Sequence, residues 1–284
     1  MNDFLQFFSF SDPNVRLVVL GTALIGACSG SIGTFMVLTR KSLLGDVVSH
    51  SILPGICVAF ILYPVRSGIH LFIGAMVAGL LSGIAADYFS RKSVLRPDAL
   101  FALVLSVFFG LGVMLITYIQ QNYGAGQAGL DAILFGKAAA INQDDLTYIT
   151  VVAAVIFACL ILFFRSFRMI TFNAGFAQSI GVRVRIYNGI LSSLTVMAVA
   201  IGIQAVGVVL MAALLIAPSI VSKALSNRLW LILLISAFVG GLSGLLGSFV
   251  SYTLPAMPTG PWIVICLSLM VFAVLPFRRK FGNS

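Results

Sequence analysis

The stretch DALFALVLSVFFGLGVMLITYI, residues 98–119, decides the fold. It carries one charged side chain, Asp98, at its first position. At 1.5 Å per residue a helix of this length rises about 33 Å, enough to cross a hydrocarbon core about 30 Å thick. The stretch does not alternate between polar and apolar residues, so it is not a strand of a membrane barrel. Comparable apolar runs recur from residue 17 to residue 276. The chain is 60% hydrophobic and 9% charged, with a mean hydropathy of +1.12. A soluble domain is about a quarter charged, so the composition defines an all-α, polytopic helical membrane protein. A single transmembrane domain is expected over residues 1–284. Nine spans are expected near 16–39, 43–63, 68–88, 98–119, 146–164, 187–204, 206–222, 229–252 and 261–277. The sixth and seventh are nearly continuous, so the count is eight to nine.

The basic residues test this map, because cytoplasmic loops of membrane proteins carry an excess of Lys and Arg. With the N-terminus outside, one side holds Arg40, Lys41, Arg91, Lys92, Arg96, Arg165, Arg168, Arg183, Arg185, Lys223, Arg228, Arg278, Arg279 and Lys280. The other holds Arg16, Arg66 and Lys137. That split, 14 against 3, accounts for all 17 basic residues. It predicts nine crossings with the C-terminus in the cytoplasm. It also explains the +9 net charge as a topology signal that needs no nucleic acid. The N-terminal MNDFLQFFSFSDPNVR lacks a basic n-region and an A-x-A site, so it does not read as a cleaved signal peptide. Its FLQFF suits the interface. The cysteines (Cys28, Cys57, Cys159, Cys266) stand singly inside apolar runs and read as packing residues.

Two connections exceed a simple turn. The outer one, residues 120–145, has an apolar centre, LDAILFGKAAAI, too short to span; it suits a re-entrant or interfacial helix. The inner one, residues 165–187, is basic and moderately apolar. It suits a helix on the membrane face or a surface offered to a soluble partner.

Inside the second span, LLGDVVSHSILPG (43–55) places Asp46 and His50 four residues apart, on one helical face. A charged group within the bilayer must face protein, water or an ion. One carboxylate and one imidazole suit a divalent transition metal, with the carboxylate leaning towards manganese over zinc, and iron also open. Two ligands make half a site; a two-fold dimer supplies two Asp and two His. The competing reading makes Asp46 a helix N-cap and His50 a packing residue. Pro54 frees a backbone carbonyl and kinks the helix, as breaks that line membrane cavities do. His70 reads as interfacial. Asp131, Asp144 and Asp145 belong to the outer loop region and read as solvated, or as an acidic mouth for cations. Asp87 and Asp98 read as local charge balance for Arg91, Lys92 and Arg96.

Nucleotide and hydrolase motifs are missing from the sequence. Gly136-Lys137 is followed by Ala138, so no phosphate loop is completed. With no Glu in the chain, HExxH cannot occur. The segment GGLSGLLG reads as small residues for close helix packing. The chain is therefore expected not to be an enzyme.

GDVVSHSILPG resembles the GDxxSHxxLPG signature of the membrane subunits of manganese, zinc and iron ABC importers. LFGKAAAINQDDL, FAQSIGVRV and QAVGVVLMAALLIAPSIVSK resemble further family stretches in the same order. The family's PAATA is Pro218-Ser219-Ile220-Val221-Ser222 here, and its acidic residue before A-x-x-x-G is Asn173. The resemblance implies a type II importer-like permease in the bacterial inner membrane. It implies a second permease chain, two cytoplasmic ATP-binding subunits that hydrolyse ATP, and an extracytoplasmic metal-binding protein. Metal would pass over Asp46 and His50, with no permanently bound cofactor. By similarity to the larger vitamin B12 and siderophore importers, Ser219, Ser222, Lys223, Ser226 and Arg228 would contact the ATPase. A stand-alone secondary carrier would need proton relays in several spans, and a non-transporting scaffold would need Asp46 as a mere cap.

Overall fold

Asp12 starts the first helix, α1 (Pro13–Leu38): its Oδ1 accepts from the Asn14 N–H at 2.9 Å. Pro13, with no N–H to orphan, suits the first helical position. The computed structural model describes residues 12–63, 68–122, 141–254 and 258–277. At the far end of α1, Arg40 adopts φ 57°. The Arg40 N–H donates to Val37 O at 3.2 Å and the Lys41 N–H to Met36 O at 2.8 Å. These two bonds close the helix in a Schellman pattern and reverse the chain into the second span.

That span is broken. It consists of α2 (Ser42–Ser51) and α3 (Leu53–Leu62), joined at Ile52. Pro54 has no N–H to donate to the His50 carbonyl four residues back, which ends α2. The chain continues through α4 (Gly68–Lys92), α5 (Pro97–Asn122), α6 (Gln143–Leu162), two short helices α7 (Phe164–Phe172) and α8 (Ala174–Ser179), then α9 (Val184–Val206), α10 (Val208–Leu225), α11 (Leu229–Thr253) and α12 (Thr259–Val274). A 3₁₀ turn, Leu275–Phe277, follows. Among the described residues there is no strand, and seven helical stretches are long and apolar enough to cross a membrane. Two shorter apolar helices, Leu210–Leu225 and Thr259–Val274, fall on the seventh and ninth expected spans. The sixth and seventh are separate helices: Gly207, at φ 90°, breaks them, a conformation that suits glycine.

The centre of the bundle is α1, which packs on α2, α6, α7, α9, α10 and α11. Its tightest partner is α11. Gly26 and Gly240 meet backbone to backbone, Gly30 lies on the Ser236 carbonyl, and Gly244 lies on Thr22. No side chain fits at these crossings, the close approach that small residues permit in membranes. Hydroxyls then bond across the interface: Thr34 Oγ1 donates to Ser236 Oγ at 2.9 Å, and Thr22 and Ser248 share a 2.9 Å bond. The GGLSGLLG segment thus acts as the packing surface expected of it. Cys28 and Cys57 are buried, Cys159 and Cys266 half-buried, and all four are free thiols.

The FLQFF segment, the LDAILFGKAAA part of the outer loop with Asp131 and Lys137, Arg66, and the basic tail Arg278, Arg279 and Lys280 lie outside the described residues. The start of α6 is described: the Asn142 N–H donates to Asp145 Oδ2 at 3.1 Å. Asp145 is therefore a helix-end group.

Candidate ion site and docking groove

Asp46 and His50 sit one turn apart on α2, with Oδ1 and Nε2 3.5 Å apart. Two ligands bound to one ion at about 2.1–2.2 Å lie roughly 3.0–3.5 Å from each other, so the pair needs no rearrangement to share a cation. The span begins at Ser42, which puts the two groups about 6 and 12 Å along it. Asp46 is not a cap. α2 starts at Ser42 and its N-cap position is Lys41, so Asp46 is the fifth helical residue and the capping reading falls.

The surroundings hold the pair in place. Gly45, beside Asp46, packs against Leu215 of α10. The His50 ring meets Phe109 of α5 edge-on, with centroids 5.3 Å apart at 90°. The break beyond it is wedged: Gly112 of α5 contacts Leu53 and Pro54, and Gly55 of α3 lies backbone to backbone on Gly74 of α4. Yet the polar ends stay open. In this single chain Asp46 is 38% and His50 25% exposed. Among the described residues no three His, Cys, Asp or Glu come together as a metal site. His70 is elsewhere, stacked on Tyr63 at 4.9 Å.

Restoring the backbone at the break tests its role. Pro54→Ala supplies the missing donor for the His50 carbonyl, and proline inside a helix costs about 3 kcal/mol. The variant is expected to melt no lower than wild type in detergent while transporting severalfold more slowly. Equal uptake rates would show that the break is only structural.

The basic connection between α6 and α9 forms a second feature. Phe167 of α7, fully buried, inserts beside Phe35 of α1 at 5.6 Å and Tyr187 of α9 at 6.3 Å. This aromatic clamp leaves Arg165 and Arg168 exposed. Asn173 caps α8, its Oδ1 accepting from the Phe176 N–H at 2.9 Å. Asn and Asp cap equally well, so the departure from the family's acidic residue costs α8 nothing in this role. α7, α8 and the α10–α11 connection enclose a groove of 710 Å³, lined by Arg168, Phe172, Asn173, Phe176, Arg228 and Trp230 among others. Phe172 and Phe176 are both exposed. Residues 165–187 therefore form an amphipathic helix pair with an open outer face.

Burial divides the five residues expected from sequence to contact a partner. Ser219 and Ser222 are buried: Ser219 Oγ donates to Leu215 O and Ser222 Oγ to Ser219 O, inside α10. Their hydroxyls are turned into the bundle in this chain. Lys223 and Arg228 are exposed and Ser226 half-buried. The periodicity of α10 could have separated the two groups. The sequence marks residues 165–187 as a basic stretch suited to the membrane face or to a soluble partner, but only the fold brings Arg168, Phe172 and Phe176 beside Arg228.

A bundle of helices long and apolar enough to cross a membrane, with an ionisable pair on a broken span and a basic groove between α7, α8 and the α10–α11 connection, is the architecture of a multi-pass membrane protein. The chain belongs to the ABC 3 transport family, whose family model matches residues 11–278. It is 42% identical over 270 residues to the manganese transport system membrane protein MntC of Bacillus subtilis, covering 95% of this chain and 62% of that protein. It is 39% identical over 259 residues to the zinc transport system membrane protein TroC of Treponema pallidum, covering 91% and 87%. The chain thus spans less than two thirds of the length of the Bacillus relative. Its fold matches PsaBC from Streptococcus pneumoniae, solved in complex with Fab, with a TM-score of 0.86, 27% identity, and 99% and 100% of the two chains covered. The chain is the multi-pass membrane component of an ABC transporter. ATP hydrolysis in such a system is performed by a separate subunit.

Proposed function

We propose that this chain is the permease of an ATP-driven importer of divalent metal ions, manganese first, and that Asp46 and His50 carry the ion at the two-fold axis of a permease dimer. The observation that carries this reading is the 3.5 Å Asp46–His50 pair, partly open at the side of one chain. Two ligands per chain are half of what a transition metal takes; two copies supply four. An open carboxylate on a lipid-exposed helix would cost several kcal/mol, and facing its mate across an ion removes that cost. The names of the relatives, two metal transport systems, support the substrate class. Family membership removes the stand-alone carrier and the scaffold. Metal identity is tested by growth of a deletion strain carrying this chain on limiting Mn, Zn or Fe. Rescue by manganese at the lowest concentration is expected, and rescue by zinc alone would overturn it.

The basic turns support an orientation in which the α1–α2, α4–α5, α6–α9 and α10–α11 connections face the cytoplasm of the bacterial inner membrane and the N-terminus faces outward. The groove beside Arg168 and Arg228 then lies inside, where each permease of the dimer receives one ATP-binding subunit. A metal-binding protein delivers the ion from the other side. Reversing both charges, with Arg168→Glu and Arg228→Glu, is expected to release the ATP-binding subunit in pull-down and to cut uptake by about tenfold or more. Retention of the subunit at wild-type levels would place its docking elsewhere.

A further inference from the structure

The ion site opens beside one helix. α5 packs on α2, α3 and α4. Phe109 meets His50 and Gly112 meets Leu53. Both contacts have the same sequence offset, so α5 runs parallel to α2–α3, and Ser106 is level with Val47, next to Asp46. Around α5, at about 100° per residue, the exposed surface divides into two arcs. The arc farther from His50 carries Leu103, Val107, Leu111, Met114 and Tyr118, all exposed, as lipid contact requires. The arc next to Phe109 carries Ala102, Ser106, Gly110 and Thr117, also exposed but small or hydroxylated, with Val113 the one larger apolar residue among them. A Cβ built at Gly110 meets nothing within 4 Å. Ser106 and Thr117 hydroxyls donate to Ala102 O at 2.9 Å and Val113 O at 3.0 Å, so neither needs water.

We infer that this arc of α5 is a surface by which two copies of the chain meet, flanking the shared ion site. The inference rests on the proposed two-fold ion site and names the helix face that builds it. The arc is continuous with an incomplete site: Asp46 and His50 need a second pair of ligands, and the copy that brings them must cover what adjoins them. Small residues let a second helix approach closely, the requirement for association in lipid, where apolar surface alone gives no drive. Phe109, between His50 and the arc, becomes buried at the seam and fixes the imidazole against its mate.

The test uses the full chain co-expressed with its transporter partners, purified in detergent, with oligomeric mass read by light scattering. Gly110→Leu places a side chain in space that is open in one chain, so the protomer should fold. It is expected to weaken dimerisation by about tenfold or more and to lower uptake in parallel. Val107→Leu, on the lipid arc, is expected to do neither. A Gly110→Leu protein that stays dimeric and transports normally would overturn the inference. Should that variant fail to fold, Ser106→Cys in a Cys159→Ala, Cys266→Ala background should cross-link to its mate with a short bis-maleimide, while Val107→Cys should not. Absence of the Ser106→Cys cross-link in a dimeric, ion-carrying protein overturns the α5 face alone. A wild-type permease that transports as a single copy overturns the two-fold site as well.

Discussion

Replacing Asp46 and His50 together by Ala is expected to abolish metal uptake, by more than about 100-fold, while leaving the protein folded at wild-type levels in the membrane. The asymmetry follows from where the groups sit. Neither is in the core: Asp46 is 38% and His50 25% exposed, and Asp46 caps no helix, because α2 starts four residues earlier. Their removal therefore opens no cavity and unties no helix end. It removes every ligand from the proposed site, four in a dimer, so a dehydrating cation has nothing to replace its water. Asp46→Asn refines the result. It keeps size and oxygen but loses charge, and is expected to fall between wild type and the double variant. Uptake of radioactive manganese by cells, normalised to permease in membranes, measures all three. Unimpaired uptake in the double variant would sink the reading.

The second large effect is on folding. Gly240→Ala is expected to destabilise the protein by about 2–3 kcal/mol and to lower both membrane yield and melting temperature in detergent. A Cβ there strikes the Gly26 carbonyl of α1. That contact is backbone on backbone, and no side chain can swing aside. Its neighbour is the control. At Gly241 the nearest atoms to a new Cβ are Ala23 O at 3.4 Å and Ala27 Cβ at 3.8 Å, ordinary contacts. Gly241→Ala should therefore melt near wild type. Equal stability of the two variants would show that α1 and α11 separate easily.

The helices were legible because lipid imposes a simple rule: apolar runs of span length must be helices. Eight of the nine expected spans hold one helix each, and the second holds the broken pair α2 and α3. The Asp46–His50 pair was legible because its four-residue spacing is local. Gly207 was harder to read: φ 90° is a backbone property, and the hydropathy of residues 187–222 hardly dips there. The groove was legible only as two separate stretches, the basic 165–187 connection and Arg228, and not as one surface. Arg168 and Phe176 meet Arg228 and Trp230 across some fifty residues of sequence, and burial of Ser219 and Ser222 depends on α1 lying against α10. Such facts belong to tertiary packing, which periodicity does not encode.

The aromatic clamp under α7 has a mechanical consequence. Phe167 is wedged against Phe35 and Tyr187, and α1, which carries Phe35, is stitched to α11 through Thr34 and Ser236. A load applied at α7 cannot be absorbed by a soft joint, because close-packed interiors transmit strain. It passes to the central post of the bundle and from there to the helices packed around it. In the proposed dimer each permease would then swing as a stiff lever, and the opening of the pathway would be measured in degrees of tilt between two rigid halves.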